Sequence, residues 1–140
     1  MTENFKIISS FIKDMSSETP DAQTFIFVRD KISKYRLNID INSKAVKNGI
    51  IEVNTILKFT DQPDVLKKSH FEIIYTSIVK VEEKVSDKKE MEKIILCDVP
   101  NKIYPDLERI FLNLLTDSGY PGIKFEKKIN FTELYKQRSN

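Results

Sequence analysis

Apolar and polar residues alternate strictly in the middle of the chain. In YRLNIDI, residues 35–41, the odd positions are apolar and the even positions are polar or charged. IIEVNTILKF, residues 50–59, continues with a similar alternation. A period of two residues is that of a β-strand with one buried face. Because Asn48 and Gly49, between the two runs, can adopt the positive φ angles of a tight turn, the sequence predicts a β-hairpin.

Two further segments predict strands before and after this hairpin. FKIISSFIKDM, residues 5–15, precedes it, and HFEIIYTSIVKVEE, residues 70–83, follows it. The later segment has apolar side chains on both faces, so we expect both of its faces to be partly covered. The short connections predict an antiparallel meander, with a long crossover loop after the first strand.

The second half of the chain changes to the three- and four-residue spacing that is typical of helices. A short charged helix is predicted over residues 87–96, with Ser86 as its N-cap. Pro100 interrupts it, and the strongest helical pattern then spans residues 99–121, where Pro105 suits a first turn. We therefore expect a long helix within residues 99–121, with Pro105 in its first turn.

The last segment, NFTELYKQR, residues 130–138, predicts a final helix, because Asn130 and Glu133 have the spacing of a capping box. A length of 140 residues is close to the commonest size of a single domain. The sequence thus predicts one α+β domain over residues 1–140. Its four-stranded antiparallel sheet has a long crossover loop after strand 1, and two C-terminal helices pack on one face.

Charge and hydropathy exclude several classes of partner. The chain has 23 basic and 21 acidic side chains, a net charge of +2, without the clustered basic face of a nucleic-acid-binding protein. No window approaches the ~20 apolar residues that span a bilayer, and the start MTENFKII lacks the apolar run of a secretory signal. The single cysteine, Cys97, fits a reducing compartment. We expect a cytoplasmic protein that binds no nucleic acid and does not insert directly into a membrane.

The residues that carry catalysis are too few or too isolated to predict an enzyme. One histidine and one cysteine form no metal-binding motif, and three glycines form no phosphate-binding loop. His70 is interpreted as a solvated side chain at a strand start, and Cys97 as a packed apolar thiol. We therefore predict a protein without enzymatic activity, cofactor or metal.

Two surfaces remain as candidate binding sites. One is acidic and contains Asp14 and Glu18 at the end of the first strand and Glu72 on the outward face of the fourth. The other is the apolar run FIFV, residues 25–28, which is followed by Ile32 in the crossover. The pattern leaves two alternatives open for this run: an exposed binding surface, or a plug that fills the core beneath the crossover.

Three blocks of the sequence carry a resemblance to a known family. FIKDMSSETPDAQTF, residues 11–25, resembles the Y-x-K-D-x-S-x-E-x-P-x-A segment of the SecB family. CDVPNKIYPDLERIFLNLLTDSGYPGI, residues 97–123, is similar to its C-P-x-x-[IL]-[FY]-P-x-[AL]-[RE] helix entry and its G-[FY]-P helix exit. INFTELYKQR, residues 129–138, resembles its terminal [IV]-[ND]-F-x-x-L-[FY]. The blocks occur in the family's order and cover nearly the whole chain.

The resemblance implies a chaperone that binds unfolded secretory precursor proteins in apolar grooves and delivers them to the ATPase SecA for export. It also implies a homotetramer, a dimer of dimers in which first strands pair across protomers. Two alternatives stay open. One is a SecB-like chaperone dedicated to a single client such as an antitoxin, and the other is a small α+β domain that binds an apolar ligand in a closed cavity.

The resemblance further assigns three groups of residues. SecA would dock on an acidic surface formed by Asp14, Glu18, His70 and Glu72. The client grooves would be lined by Phe25, Phe27, Ile32, Leu37, Tyr104, Phe131 and Tyr135. The oligomer interface would contain Phe71, Ile73 and Tyr75.

Overall fold

The fold is built on one antiparallel sheet, and the computed structural model describes residues 4–125 and 129–138. The strands are β1 (Phe5–Glu18), β2 (Arg36–Lys47), β3 (Ile50–Thr60) and β4 (His70–Val81). Their spatial order is β1-β4-β3-β2. The predicted meander is confirmed for β2 to β4 and wrong for β1, which lies beside β4 at the far edge. Because neighbouring strands lie about 4.8 Å apart, the crossover is long enough to reach from β1 at one edge of the sheet to β2 at the other.

The hairpin predicted from alternation is confirmed. β2 and β3 pair with Leu37 opposite Phe59 and Ile39 opposite Leu57, so the apolar residues of both strands share one face. Gly49 has a φ of +76°, in the region that a tight turn requires and that glycine adopts without strain.

The crossover after β1 contains helical structure where a loop was predicted. Helix α1 (Ala22–Arg29) is followed by a single 3₁₀ turn (Ile32–Lys34). The Asp21 carboxylate caps α1 by accepting a hydrogen bond of 2.7 Å from the Thr24 N–H. The sequence pattern missed this helix because its apolar residues are consecutive and give no helical period.

The two helices expected after β4 form one continuous helical backbone. Helix α2 (Lys88–Lys93) passes through a π-helical turn (Ile94–Asp98) into α3 (Val99–Asp117). The turn carries a hydrogen bond from the Val99 N–H to the carbonyl of Ile94, five residues earlier. We attribute the turn to Pro100, which has no N–H to donate and would distort a regular α-helix at this position. The prediction that Pro100 interrupts the helix was therefore wrong.

Three details of the helix ends test the sequence predictions. Asp87, and not Ser86, is the N-cap of α2, because its carboxylate accepts the Lys89 N–H. Pro105 lies inside α3 and Pro100 occupies the first turn, so the prediction that Pro105 lies in the first turn was wrong. Helix α4 (Phe131–Arg138) begins as predicted, since Asn130 Oδ1 accepts the Glu133 N–H at 3.0 Å.

The core lies between one face of the sheet and the helices. Phe71 and Ile73 are fully buried there and Tyr75 is 9% exposed. The Phe71 ring packs on Tyr120 at 5.6 Å and on Phe59 at 6.3 Å between ring centroids. Phe71, Ile73 and Tyr75, which were predicted for an oligomer interface, are surrounded by side chains of their own chain.

Candidate functional site

An apolar groove runs along β2, between its edge and the segment that leads into α4. A cavity of about 760 Å³ is lined by Ile32 and Tyr35 at one end and by Ile123, Phe125 and Ile129 on the far side. A second cavity of about 420 Å³ extends it as far as Leu134 of α4. Both cavities are lined by Leu37, Ile39 and Ile129. We call this surface the edge groove, defined by Leu37, Ile39, Ile129 and Leu134.

A narrower cleft of about 190 Å³ continues the edge groove along β2. It is lined by Ile39, Asp40, Ile41, Leu96, Phe131, Leu134 and Tyr135. The π-helical turn contributes Leu96, so the irregularity near Pro100 borders this cleft. The cleft and the two cavities together form a series of apolar depressions along one strand.

The outer edge of β2 leaves backbone groups available to a ligand. Within residues 4–125 and 129–138, β2 pairs only with β3, as the last strand of the sheet. One N–H group of β2 has a partner within the chain, since the Ile41 N–H donates to the carboxylate of the neighbouring Asp40 at 3.0 Å. Alternate N–H and C=O groups of an edge strand point away from the sheet and can pair with an added strand.

Four of the seven predicted groove residues line the cavities along β2. Ile32 and Leu37 line the largest cavity, and Phe131 and Tyr135 line the narrow cleft. Tyr104 lies in a neighbouring cavity of about 740 Å³ along α3, which shares Phe125, Ile129 and Phe131 with the groove region. Ile32, Tyr104 and Phe131 are largely buried, so they form the floor of these depressions.

Phe25 and Phe27 lie elsewhere, and neither lines any of these cavities. Phe25 is half-buried on α1 and packs on Tyr120, with 5.1 Å between ring centroids. Phe27 is 38% exposed, and the Lys31 ammonium lies 5.0 Å from the centre of its ring. The structure thus places Phe25 as part of the packing beneath the crossover and leaves Phe27 at the surface of α1.

The predicted acidic residues come together on the sheet face opposite the helices. In the β1–β4 register, Glu18 pairs with His70 and Ser16 with Glu72, and Asp14 lies one step further along. His70 Nε2 is 3.9 Å from the Glu72 carboxylate. We call this group, Asp14, Glu18, His70 and Glu72, the acidic surface.

The carboxylates of the acidic surface differ in their partners. Lys58 Nζ lies 3.5 Å from Glu72 and offsets its charge. Asp14 and Glu18 are exposed and have no cationic partner in the part of the chain that the structure describes. Asp14 and Glu18 therefore carry the negative potential of this face.

Glu52 is a carboxylate of the same face that the sequence did not single out. It accepts hydrogen bonds from Asn54 at 2.9 Å and from Lys13 at 3.1 Å, and these bonds hold its pKa below the usual value. Thr76 donates to Asn54 at 2.6 Å and extends the network. Lys13 and Glu52 are 39 residues apart, so only the strand register brings them together.

Buried hydrogen bonds fix the end of the sheet next to the acidic surface. The fully buried Ser69 donates its N–H to the Tyr35 hydroxyl at 2.9 Å, and its own hydroxyl lies 3.1 Å from the Tyr120 hydroxyl. Burial raises the pKa of Tyr35, so this phenol stays protonated near neutral pH. Thr19 joins the same cluster through a 2.7 Å contact with Ser69.

Metal-ion binding and membrane insertion each require a particular arrangement of residues. No three His, Cys, Asp or Glu side chains of residues 4–125 and 129–138 are grouped to hold a metal ion. No helix in the same residues has the length and apolar character needed to cross a bilayer. Cys97 is buried, with its Sγ 3.4 Å from Thr132 Oγ1.

Comparison with known proteins places the whole chain in one family. Residues 1–140 match the profile of SecB, described as preprotein translocase subunit SecB. A Pelagibacter ubique protein that carries a SecB name is 89% identical over 100% of both chains. A protein-export protein SecB of Methylocella silvestris is 24% identical over 91% of this chain and 78% of its own length.

A solved structure shows the same fold. A SecB-like chaperone of Mycobacterium tuberculosis, in complex with a peptide from an antitoxin, matches with a TM-score of 0.64 at 12% sequence identity. The match covers 89% of this chain and 91% of the chaperone. The predicted α+β fold is thereby confirmed.

Proposed function

Because this chain belongs to the SecB family of protein-export chaperones, which are not enzymes, we propose that it holds unfolded secretory precursors and delivers them to the SecA ATPase. The observation that carries this proposal is the edge groove, an open apolar surface beside an unpaired strand edge. A holdase must bury apolar segments without requiring one sequence. The groove offers this because it consists of shallow depressions in series.

Client binding is proposed to combine side-chain burial with backbone pairing. Each large apolar side chain that leaves water contributes on the order of 1.5–3 kcal/mol, and several weak contacts along one client add by multivalency. An extended client can also pair with the outer edge of β2, which supplies affinity that does not depend on sequence. We expect Leu37, Ile39 and Leu134 to contact the client directly.

SecA docking is assigned to the acidic surface. Asp14 and Glu18 are exposed on a rigid four-stranded sheet, on the face opposite the helices and the core. Carboxylates in such a position favour rapid, salt-sensitive association with a basic partner. Because this face is separate from the edge groove, one chain could hold a client and contact SecA together.

A homotetramer, a dimer of dimers, is proposed from the exposure of β1. This strand has 14 residues at the edge of the sheet and exposes Ile8, Phe11, Ile12 and Met15. A long apolar edge strand is an aggregation hazard unless another chain covers it. Pairing of β1 with β1 of a second copy removes that edge. We place the assembly in the cytoplasm, where precursors await export.

A second candidate is a chaperone dedicated to one client. It is favoured by the fold shared with the Mycobacterium tuberculosis SecB-like chaperone, which was solved with an antitoxin peptide. The third alternative, a domain with a closed apolar cavity, has less support, because the cavities along β2 and α3 are open to solvent.

The proposal is tested with one urea-unfolded secretory precursor, diluted into buffer with and without the chain. We expect the chain to suppress the rise in light scattering and to bind purified SecA in a calorimetric titration. Unchanged aggregation would contradict the holdase function. Suppression of aggregation without SecA binding would favour a dedicated or SecA-independent chaperone.

A further inference from the structure

Leu66, in the loop between β3 and β4, is far more exposed than any other large apolar side chain that the structure describes. It is 95% exposed, whereas the next, Ile26, is 55% exposed. Single apolar side chains at a surface are common, but most lean on neighbouring atoms. A leucine that contacts almost nothing offers nearly its whole side chain to a partner.

The loop that carries Leu66 is braced at both ends. The Val65 N–H donates to the Gln62 carbonyl at 3.1 Å, and the Lys68 ammonium reaches the same carbonyl at 3.4 Å. Ser69, where the loop ends, is buried among hydrogen bonds to Tyr35 and Tyr120. An apolar side chain on a braced loop loses little entropy on binding, so it is suited to anchor a partner.

Leu66 lies in the loop that leads directly into His70 of the acidic surface. It is three residues from Ser69, so their Cα atoms are at most about 11 Å apart. Ser69 contacts Thr19, which follows Glu18, and it directly precedes His70. A standard interface covers about 800 Å² on each partner, enough to include both Leu66 and the acidic surface.

The charges around Leu66 favour a basic partner, although two lysines follow it. Lys68 is bound to the Gln62 carbonyl. The pKa of Asp21 is lowered chiefly by hydrogen bonds from Thr24 and only slightly by the charge of Lys67. Asp64, like Asp14 and Glu18, has no cationic partner within residues 4–125 and 129–138. The three carboxylates without a cationic partner therefore outnumber the two lysines that directly follow Leu66.

We propose that Leu66 is the apolar anchor of the docking surface, and that it enters an apolar recess within the basic surface of SecA that meets Asp14 and Glu18. This inference rests on the SecA docking proposed above. The two kinds of contact have different tasks. The carboxylates accelerate association, and the burial of Leu66 slows dissociation.

The test compares Leu66→Ser with Val46→Ser, since Val46 is an exposed apolar residue on β2 and lines no cavity along that strand. Surface plasmon resonance with immobilised SecA is measured at several salt concentrations. We expect Leu66→Ser to raise the dissociation rate on the order of tenfold, with an unchanged association rate and salt slope. Val46→Ser should bind like the original chain.

Four outcomes would overturn the inference. If Leu66→Ser binds SecA like the original chain, the anchor is wrong while the proposed function stands. If it binds SecA normally but suppresses aggregation of the unfolded precursor poorly, Leu66 belongs to the client surface. If light scattering shows a changed oligomer, Leu66 lies between copies. If the original chain does not bind SecA, the docking proposal fails first and the anchor fails with it.

Discussion

Gly119 and Phe25 lie so close that a Cβ atom at position 119 would come within 2.6 Å of Phe25 Cε1. Gly119 also has a φ of +102°, a conformation that side chains disfavour. The Phe25 ring packs on Tyr120, so the end of α3 holds the crossover helix α1 through this contact. The apolar run in the crossover therefore acts in part as a plug.

The substitution Gly119→Ala should destabilise the protein by two effects. The positive φ costs an alanine about 1–2 kcal/mol, and displacement of the Phe25 ring adds about 1–3 kcal/mol. Gly122→Ala is the matched control, because Gly122 has a φ of +83° but no atom within 4 Å of a Cβ. Urea unfolding should show a larger loss of stability for Gly119→Ala. Equal losses would mean that Phe25 moves aside without cost.

The substitution Leu134→Ser should weaken client binding, because Leu134 lines both the edge groove and the narrow cleft and is 46% exposed. We expect a roughly fivefold loss of affinity for an unfolded peptide, from the apolar area that Leu134 no longer buries. Ile26→Ser is the control, since Ile26 is exposed on α1 and lines no cavity along β2 or α3. Fluorescence anisotropy measures both. Similar losses for the two variants would argue against a groove at β2.

The sequence predicted the elements that depend on a local hydrophobic period. It did not predict the contacts between segments that are distant in the chain. Alternation predicted β2, β3 and the turn at Gly49, because side-chain period is a local property. It did not place β1 beside β4, since strand order is set by packing across the sheet. Leu37, which was predicted for a client groove, lines the cavities along β2, whereas Phe25 contacts Gly119 and Tyr120, far along the chain.

The substitution Glu18→Lys should weaken SecA binding by roughly tenfold at low salt, because a carboxylate that attracts the basic partner becomes a charge that repels it. The difference should shrink as salt rises and screens the exposed charges. Glu83→Lys makes the same change of charge in the turn after β4 and serves as the control. Binding is measured by titration calorimetry across a salt series. An equal effect of both substitutions would indicate a response to net charge alone.

The hydrogen bonds that lower the pKa of Glu52 predict a pH dependence of stability. A carboxyl whose pKa is lower in the folded state stabilises that state above its unfolded pKa, near 4.3, and this contribution is lost as pH falls. We therefore expect Glu52→Gln to lose less stability between about pH 6 and pH 3.5 than the original chain. Urea midpoints at each pH give the comparison, with Glu83→Gln as the control. If the two glutamine variants follow the same pH profile, the network around Glu52 does not contribute.

The substitution Ile12→Lys should prevent assembly through β1. A two-fold antiparallel pair of β1 strands, Phe5–Glu18, that is centred at Ile12 brings the two copies of residue 12 directly opposite each other. Lysines at position 12 would then place two like charges close to each other. In the single chain the Ile12 side chain is 43% exposed. Light scattering at micromolar concentration should show a smaller species than the tetramer we expect for the original chain. Val46→Lys, which adds the same charge on β2, should leave the tetramer intact, and a monomeric original chain would contradict the proposed assembly outright.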